Sequence, residues 1–379
     1  METKAADRKK WQPIEYVGLV LFIAFIACMF FAQAQFSGAF DAMFTKAYKM
    51  FEFYLFGTSK LGATIVVSVM TGRILERLGF TDALMRIFLP LMKFLNINAA
   101  VVVGVIYNIL GDVNAAGRIA GPVVMKAGCT KDEQKIAVAT LCNAPCSFSI
   151  IVLGIMALTY AGITPGPVIL IGILLPIILI PALLKLFWRD TKAKDIEELP
   201  RFTPNTGVMD LIFGSTREGV NTVLLIILPA GCAVYAIIAL LEYFGLWQYV
   251  TKFFEWLFPL IGIEPAAGLN TFTVAGTLAM SNLKGLLDPA VEGAIADAGA
   301  NAAAALAVPT AAAAKKLIVG AFVMANSSWP IQVPLGQIPA VWGGVIDLKN
   351  GEIIVSALIG CFIRIIYAAL CAQLFGLFF

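Results

Sequence analysis

The chain has 379 residues, of which 60% are apolar and 13% are charged, and its mean hydropathy is +0.88. Soluble domains carry about twice that charged fraction, so the composition predicts an integral membrane protein. A net charge of +3 without a long basic tract gives no support for nucleic-acid binding, and the absence of histidine excludes Ser-His-Asp catalysis and histidine-ligated zinc.

The first apolar stretch, residues 16–36, is long enough for a transmembrane helix that is retained rather than cleaved. Basic residues precede this stretch and recur in a polar linker, residues 190–216. The positive-inside rule places both clusters in the cytoplasm and the chain in the inner membrane. Residues 38–56, which follow the first helix, are predicted to lie at the membrane interface.

A short pattern occurs twice in the chain. Residues 74–80 return as residues 240–246, so that Gly79 and Gly245 take the same place in the two copies. This duplication predicts two repeats, residues 57–189 and 217–379, on either side of the linker. Each repeat begins with a span and continues with an amphipathic surface helix, at residues 80–95 in the first and around Lys252 in the second.

Each surface helix is followed by an interrupted apolar stretch, residues 98–128 and about 265–300. The interruptions are predicted at Asn108 to Arg118 and at Ser281 to Gly285. Arms of about 12 residues cover about 18 Å, which is too short for a hydrocarbon core of about 30 Å. Both stretches are therefore predicted to be re-entrant hairpins.

A long apolar helix with a polar, proline-containing break follows each hairpin, at residues 142–147 and 326–330. Proline removes a backbone donor, so both helices are predicted to split into half-helices whose free ends can hold ions. One further span completes each repeat. Because the spans of the second repeat start from the opposite face, we predict an all-α membrane fold built from two inverted-topology repeats.

Polar side chains in the hairpins and breaks are the predicted solute- and ion-binding residues. They are Asp112, Asn114, Arg118, Asn143, Ser147, Ser281, Asn282, Lys284, Asp288, Asn326, Ser327, Ser328 and Gln332. Alternatively, the charges form ion pairs that fix the hairpins, and the amides and hydroxyls cap freed backbone groups. Cys142 and Cys146 could instead supply thiolates to a transition metal. No cofactor is expected beyond Na⁺ or H⁺ as a coupling ion, with Asp112 or Asp288 as proton carrier.

Three segments resemble the nucleoside-recognition (Gate) family. Residues 324–328, Met-Ala-Asn-Ser-Ser, resemble the break of concentrative nucleoside transporters, where unwound carbonyls and a serine bind sodium. Residues 142–145, Cys-Asn-Ala-Pro, resemble the gate of ferrous iron transporter B, and residues 80–128 resemble spore maturation membrane proteins. The resemblance implies the inverted-repeat fold and a transport function. Nucleoside transporters hold ribose with hairpin glutamates, which are replaced here by Asp112, Arg118, Lys284 and Asp288. The basic residue in each hairpin would suit an anionic or zwitterionic solute as well as a nucleoside.

The sequence therefore predicts a secondary active transporter of a small polar solute that works by alternating access. The alternatives are a divalent metal-ion permease and a non-transporting structural component of an envelope or sporulation complex. No nucleophile and base pair can be identified at membrane depth, so an enzyme is not expected. The expected partners are the solute and the lipid bilayer, and the apolar outer surface permits a homo-oligomer.

Overall fold

The computed structural model describes residues 11–56, 61–111, 113–145, 147–194, 201–273, 276–287, 311–327 and 333–379. All regular structure in these residues is helical, as predicted. In chain order the helices are α1 (Pro13–Phe31), α2 (Gln33–Phe51), α3 (Leu61–Arg77), α4 (Phe80–Phe94), α5 (Val103–Asn108), α6 (Val113–Lys126), α7 (Lys131–Leu141), α8 (Phe148–Tyr160), α9 (Pro165–Ile169), α10 (Pro176–Leu184), α11 (Val208–Asn221), α12 (Leu228–Tyr243), α13 (Trp247–Leu260), α14 (Pro265–Thr273), α15 (Gly276–Leu287), α16 (Ala311–Ala325), α17 (Ile338–Trp342) and α18 (Asn350–Gly376).

Within the described residues, three helical stretches are long and apolar enough to cross a membrane: α1, Pro165–Leu184 and α18. The second contains α9, a π-helical turn at Leu170–Leu174 and α10. Helices α12 and α13 form a fourth candidate, bent by 104° between Tyr243 and Trp247. None of the side chains of α1 is buried although the helix is almost wholly apolar, which is the pattern expected for a helix surrounded by lipid.

Backbone geometry recurs at the same positions as the sequence pattern. Gly79 and Gly245 both have a left-handed backbone, with φ of 83° and 70°, where a helix turns into the next. Asn98 and Glu264 also take the same place in the two copies, and both accept a backbone N–H from two residues ahead, at 3.0 and 3.1 Å. The duplicated segments thus form the same turns and the same helix caps.

Helix α4 is amphipathic, as predicted, and buries one side. Its buried residues are Thr81, Leu84, Met85, Phe88 and Met92.

On the other side of α4, Asp82 holds the middle of the linker. Its carboxylate accepts backbone N–H groups from Phe202 at 3.0 Å and Thr203 at 2.9 Å, and also the Thr203 hydroxyl. Burial alone would raise the pKa of Asp82, but these hydrogen bonds outweigh it and hold the pKa below its ordinary value.

The second hairpin differs from the prediction. Helix α14 ends at Thr273 and α15 begins at Gly276, so Ser281, Asn282 and Lys284 lie inside a helix and not at an interruption. The predicted interruption at residues 281–285 is wrong because these residues can be accommodated in a helix. The Ser281 hydroxyl donates to the carbonyl of Thr277 at 2.8 Å, and a single interior glycine costs a helix only about 1 kcal/mol.

The first hairpin has its break inside the predicted region, because α5 ends at Asn108 and α6 begins at Val113. Asn114 and Arg118, however, belong to α6. Asn114 is the second residue of that helix, whereas Asn282 is the seventh residue of α15. The two asparagines therefore lie at different distances from the start of their helices.

Both predicted breaks in the later helices are present. Helix α7 ends at Leu141 and α8 begins at Phe148, and α16 ends at Ala325 with Asn326 and Ser327 in a bend. The chain is next described from Val333, where a π-helical turn leads into α17. Helix α16 therefore ends next to the asparagine of its predicted break, Asn326, and α7 ends two residues before Asn143.

Helix α18 lies at the centre of the packing. It contacts α7, the half-helix before the first break, and α16, the half-helix before the second. Outside this centre the contacts are reciprocal: α2 packs against α12 while α11 packs against α3, and α8 packs against α15 while α17 packs against α6. The two halves of the chain therefore interlock along most of their length.

Candidate functional site

The asparagines at the two breaks have the same geometry. Asn143 donates its Nδ2–H to the carbonyl of Ala139 at 2.9 Å, and Asn326 donates to the carbonyl of Phe322 at 2.8 Å. Each bond reaches back four residues to a carbonyl near the end of the helix, and Phe322 O also accepts the backbone N–H of Asn326 at 3.1 Å. Both side chains are buried, and both Oδ1 atoms lack a hydrogen-bond partner among the described residues. One half of each amide caps a helix, and the other half remains an acceptor.

The carbonyls at the end of α16 are occupied one by one. Phe322 O accepts from Asn326, and Met324 O accepts from the Ser327 hydroxyl at 2.5 Å. Between them, Val323 O accepts the Nε–H of Arg364 at 2.7 Å. A side chain from the middle of α18 thus reaches the end of the broken helix.

Arg364 is the residue that the sequence analysis missed. Its side chain is 0% exposed, and neither Nη1 nor Nη2 has a hydrogen-bond partner among the described residues. The guanidinium carbon lies 5.8 Å from the centroid of the Tyr367 ring. The signal was available, because Arg364 is the only charged residue between residues 353 and 378, and a charge in the middle of an apolar span is usually functional.

Helix α18 connects the two breaks within one turn. Asn143 donates a second hydrogen bond to the carbonyl of Gly360 at 3.0 Å, and Gly360 lies one turn before Arg364 on the same face. Only glycine fits at position 360, since a Cβ there would lie 2.8 Å from the Cα of Ala139. The close approach of α7 to α18 places the first break beside the turn that carries Arg364.

Buried carboxylates in the described residues are used elsewhere. Glu76 accepts from Arg73 at 2.8 Å, and Glu264 accepts backbone N–H groups at the start of α14. Glu133 accepts the N–H groups of Asn98 and Lys192, at 2.9 and 2.8 Å. None of these carboxylates forms an ion pair with Arg364.

Further buried polar atoms border the first break. The hydroxyls of Thr140 in α7 and Ser149 in α8 are buried, and the described residues offer neither of them a hydrogen-bond partner. Ser147, one of the predicted solute-binding residues, caps α8 by accepting the N–H of Ser149 at 3.0 Å. The backbone at this break is therefore capped, while hydroxyl groups on both sides of it remain available.

The predicted hairpin residues are spread over several surroundings. Asn282 donates to the hydroxyl of Tyr235 at 3.2 Å, which links α15 to α12. Lys284 is buried, with its Nζ 5.8 Å from the centroid of the Tyr160 ring, and it has a further partner. Asn114 is half-buried and Arg118 is exposed, so Arg118 lies outside the cluster at the breaks.

Five predicted residues lie outside the described residues. They are Asp112, Cys146, Asp288, Ser328 and Gln332. Their predicted roles stay predictions.

The metal alternative depended on Cys142 and Cys146. The Cys142 thiol is buried and lies 3.5 Å from the carbonyl of Val138. In the part of the chain that the structure describes, no three histidine, cysteine, aspartate or glutamate side chains come together as a metal site would require.

No family model and no curated protein matches this chain. The resemblance to the nucleoside-recognition family therefore stays a prediction from its motifs. The case for function depends on the geometry of the breaks and of α18.

Proposed function

We propose that this chain is a secondary transporter of the cytoplasmic membrane, which binds a small polar solute where the two helix breaks meet α18. The observation that carries the proposal is a set of buried polar atoms without partners among the described residues: Oδ1 of Asn143, Oδ1 of Asn326, and Nη1 and Nη2 of Arg364. Leaving one buried polar group unsatisfied costs about 1–3 kcal/mol. A polar ligand that bonds to these atoms at the two helix ends would remove this cost.

The depth of the site supports transport over a role at the surface. Arg364 lies about 21 Å along α18 from its first residue, Asn350, and the helix itself exceeds the thickness of the hydrocarbon core. Solute sites of transporters lie near the bilayer midplane and are formed by discontinuous helices. Both half-helices that end beside Arg364 fit this description.

The reciprocal contacts of the two halves support inverted repeats. If α2 and α3 correspond to α11 and α12, their exchange converts the α2–α12 contact into the α11–α3 contact. If α6 and α8 correspond to α15 and α17, their exchange likewise converts the α8–α15 contact into the α17–α6 contact. A pseudo-twofold axis between the halves would generate this pattern. Two inverted repeats around one site can alternate between an outward-open and an inward-open arrangement.

Sodium is the coupling ion that the described oxygen atoms favour. Carbonyls at the ends of broken helices coordinate sodium in transporters, and the two asparagine Oδ1 atoms are oxygen ligands at such ends. Protons remain the alternative, with Asp112 or Asp288 as the carrier. Neither the permease alternative nor the structural alternative is favoured by a specific contact.

Labelling of an introduced cysteine tests alternating access without knowledge of the solute. In a chain whose seven native cysteines are replaced by serine, Ser149→Cys places a thiol beside the first break with little change in volume. A membrane-impermeant maleimide should label it both in right-side-out and in inside-out vesicles. Ser215→Cys, buried in α11 away from the breaks, is the control and should stay unlabelled. Labelling of Ser149→Cys from one side only, or from neither side, contradicts the proposal.

A further inference from the structure

We infer that the solute carries an oxyanion, a carboxylate or a phosphate, and that Nη1 and Nη2 of Arg364 bind it. The inference rests on the proposed function, because it names the chemistry of the solute at the same site. It goes beyond the sequence motifs, which do not include Arg364.

The orientation of the guanidinium is fixed. Its Nε–H donates to Val323 O at 2.7 Å, and the guanidinium carbon lies 5.8 Å from the centroid of the Tyr367 ring. The remaining edge presents two N–H donors side by side, and this fork matches the two oxygen atoms of a carboxylate or phosphate. Since no described residue accepts from Nη1 or Nη2, the fork is available to a ligand.

The local charge of the described residues also favours a bound anion. The C-terminal end of a helix carries about −0.5 elementary charge, so the C-terminal end of α16 compensates only about half of the guanidinium charge. The buried glutamates among the described residues bind backbone groups or Arg73, as described above. An unpaired charge in an apolar interior is unfavourable unless a counter-charge is bound.

A purely structural role does not explain the whole side chain. Capping Val323 O requires one donor, and the neighbouring carbonyls of α16 are already satisfied by Asn326 and Ser327. A cap would therefore use Nε and leave both Nη groups buried without a function. The oxyanion accounts for both.

Protection from labelling tests the inference in the full chain. The probes are inorganic phosphate and succinate, with sodium chloride at equal ionic strength and uridine as an uncharged solute. Phosphate or succinate should slow maleimide labelling of Ser149→Cys, and sodium chloride should not. With Arg364→Gln added, the concentration of anion that protects should rise about tenfold or more, because two charge-assisted hydrogen bonds are lost.

Two further variants keep the test decisive. Arg364→Lys retains the charge without the fork and should weaken protection less than Arg364→Gln does. It also serves if the glutamine variant does not reach the membrane. Arg86→Gln, at an exposed position of α4, should leave protection unchanged.

Failure of the inference and failure of the proposed function give different results. If labelling occurs from both sides but neither anion protects, or if Arg364→Gln is protected as well as the parent, the oxyanion inference is overturned and the transport proposal stands. If uridine protects the thiol and this protection does not depend on Arg364, the oxyanion inference is likewise overturned and the transport proposal stands. If labelling occurs from one side only but phosphate or succinate protects through Arg364, the anion site stands and the transport proposal fails.

Discussion

Arg364 and Val323 are joined by a 2.7 Å hydrogen bond that connects the middle of one helix to the end of another. Val323 lies in the last turn of α16, which ends at Ala325. Arg364 lies one turn after Gly360, whose carbonyl accepts a hydrogen bond from Asn143. The two breaks belong to different halves of the chain, yet both contact the same turn of α18. This convergence is the basis of the proposed site.

Replacing Arg364 by methionine separates stability from function. Methionine fills a similar length without a buried charge, and exchange of buried charged groups for apolar ones is often neutral or stabilising. We expect Arg364→Met to unfold at the same temperature as the parent or higher, as measured by thermal denaturation in detergent, and to lose protection by phosphate or succinate. A marked fall in the unfolding temperature with protection retained would mean that Arg364 is a structural cap.

Adding one methyl group at Gly360 should separate α7 from α18. The new Cβ would lie 2.8 Å from Cα of Ala139, which is closer than two carbon atoms can pack. We expect Gly360→Ala to lower the free energy of unfolding by about 1–3 kcal/mol and to weaken the Asn143–Gly360 bond.

Gly351 in the first turn of α18 is the matched control for that change. No heavy atom lies within 4 Å of a Cβ built at Gly351, so Gly351→Ala should change stability by less than about 1 kcal/mol. Equal effects at both glycines would show that the helices are not in close contact at Gly360.

The two break asparagines should differ in their effect on stability. Asn143 donates to Ala139 O and to Gly360 O, whereas the Asn326 amide donates to Phe322 O within its own helix. Because a typical hydrogen bond contributes about 1 kcal/mol, we expect Asn143→Ala to destabilise the chain by about 1 kcal/mol more than Asn326→Ala. Chemical denaturation of the two purified variants measures this difference, and equal losses would contradict the contact between the first break and α18.

Asp82 should hold the middle of the linker at neutral pH. Its pKa is lowered in the folded chain, so its contribution is complete above the pKa of the unfolded carboxyl, about 3.9, and is lost as the pH falls through the lower folded value. Between about pH 5 and pH 8 this contribution should not change.

The corresponding variant is Asp82→Asn at neutral pH, which removes the charge that accepts from Phe202 and Thr203. We expect trypsin to cleave after Arg201 faster in this variant than in the parent. Glu255→Gln, an exposed acid of α13, is the control and should leave the cleavage rate unchanged. Equal cleavage of all three chains would show that Asp82 does not restrain the linker.

The sequence predicted the features that depend on local chemistry. Helices α7 and α16 ended at the predicted breaks, and Gly79 and Gly245 formed equivalent turns. The prediction of an interruption at residues 281–285 was wrong. The Ser281 hydroxyl donates to the carbonyl of Thr277 inside the helix, and the helix tolerates Gly285. Polarity alone does not break a helix when side chains can bond to the preceding turn.

The candidate site could be predicted only in part, because its contacts are long-range. Asn143 and Gly360 are far apart in the sequence, and no local pattern indicates that they meet. The single arginine of the last span could have been found from its depth in an apolar helix. Its open fork, in contrast, depends on which neighbours accept from it, and this requires coordinates.

The most direct test of one shared site compares a thiol at each break, Ser149→Cys and Ser327→Cys. We expect impermeant maleimide to reach both thiols from both sides of the membrane, and phosphate or succinate to slow both reactions over the same concentration range. If Ser149→Cys is labelled only from one side and Ser327→Cys only from the other, the breaks belong to two separate static surfaces and the account is contradicted.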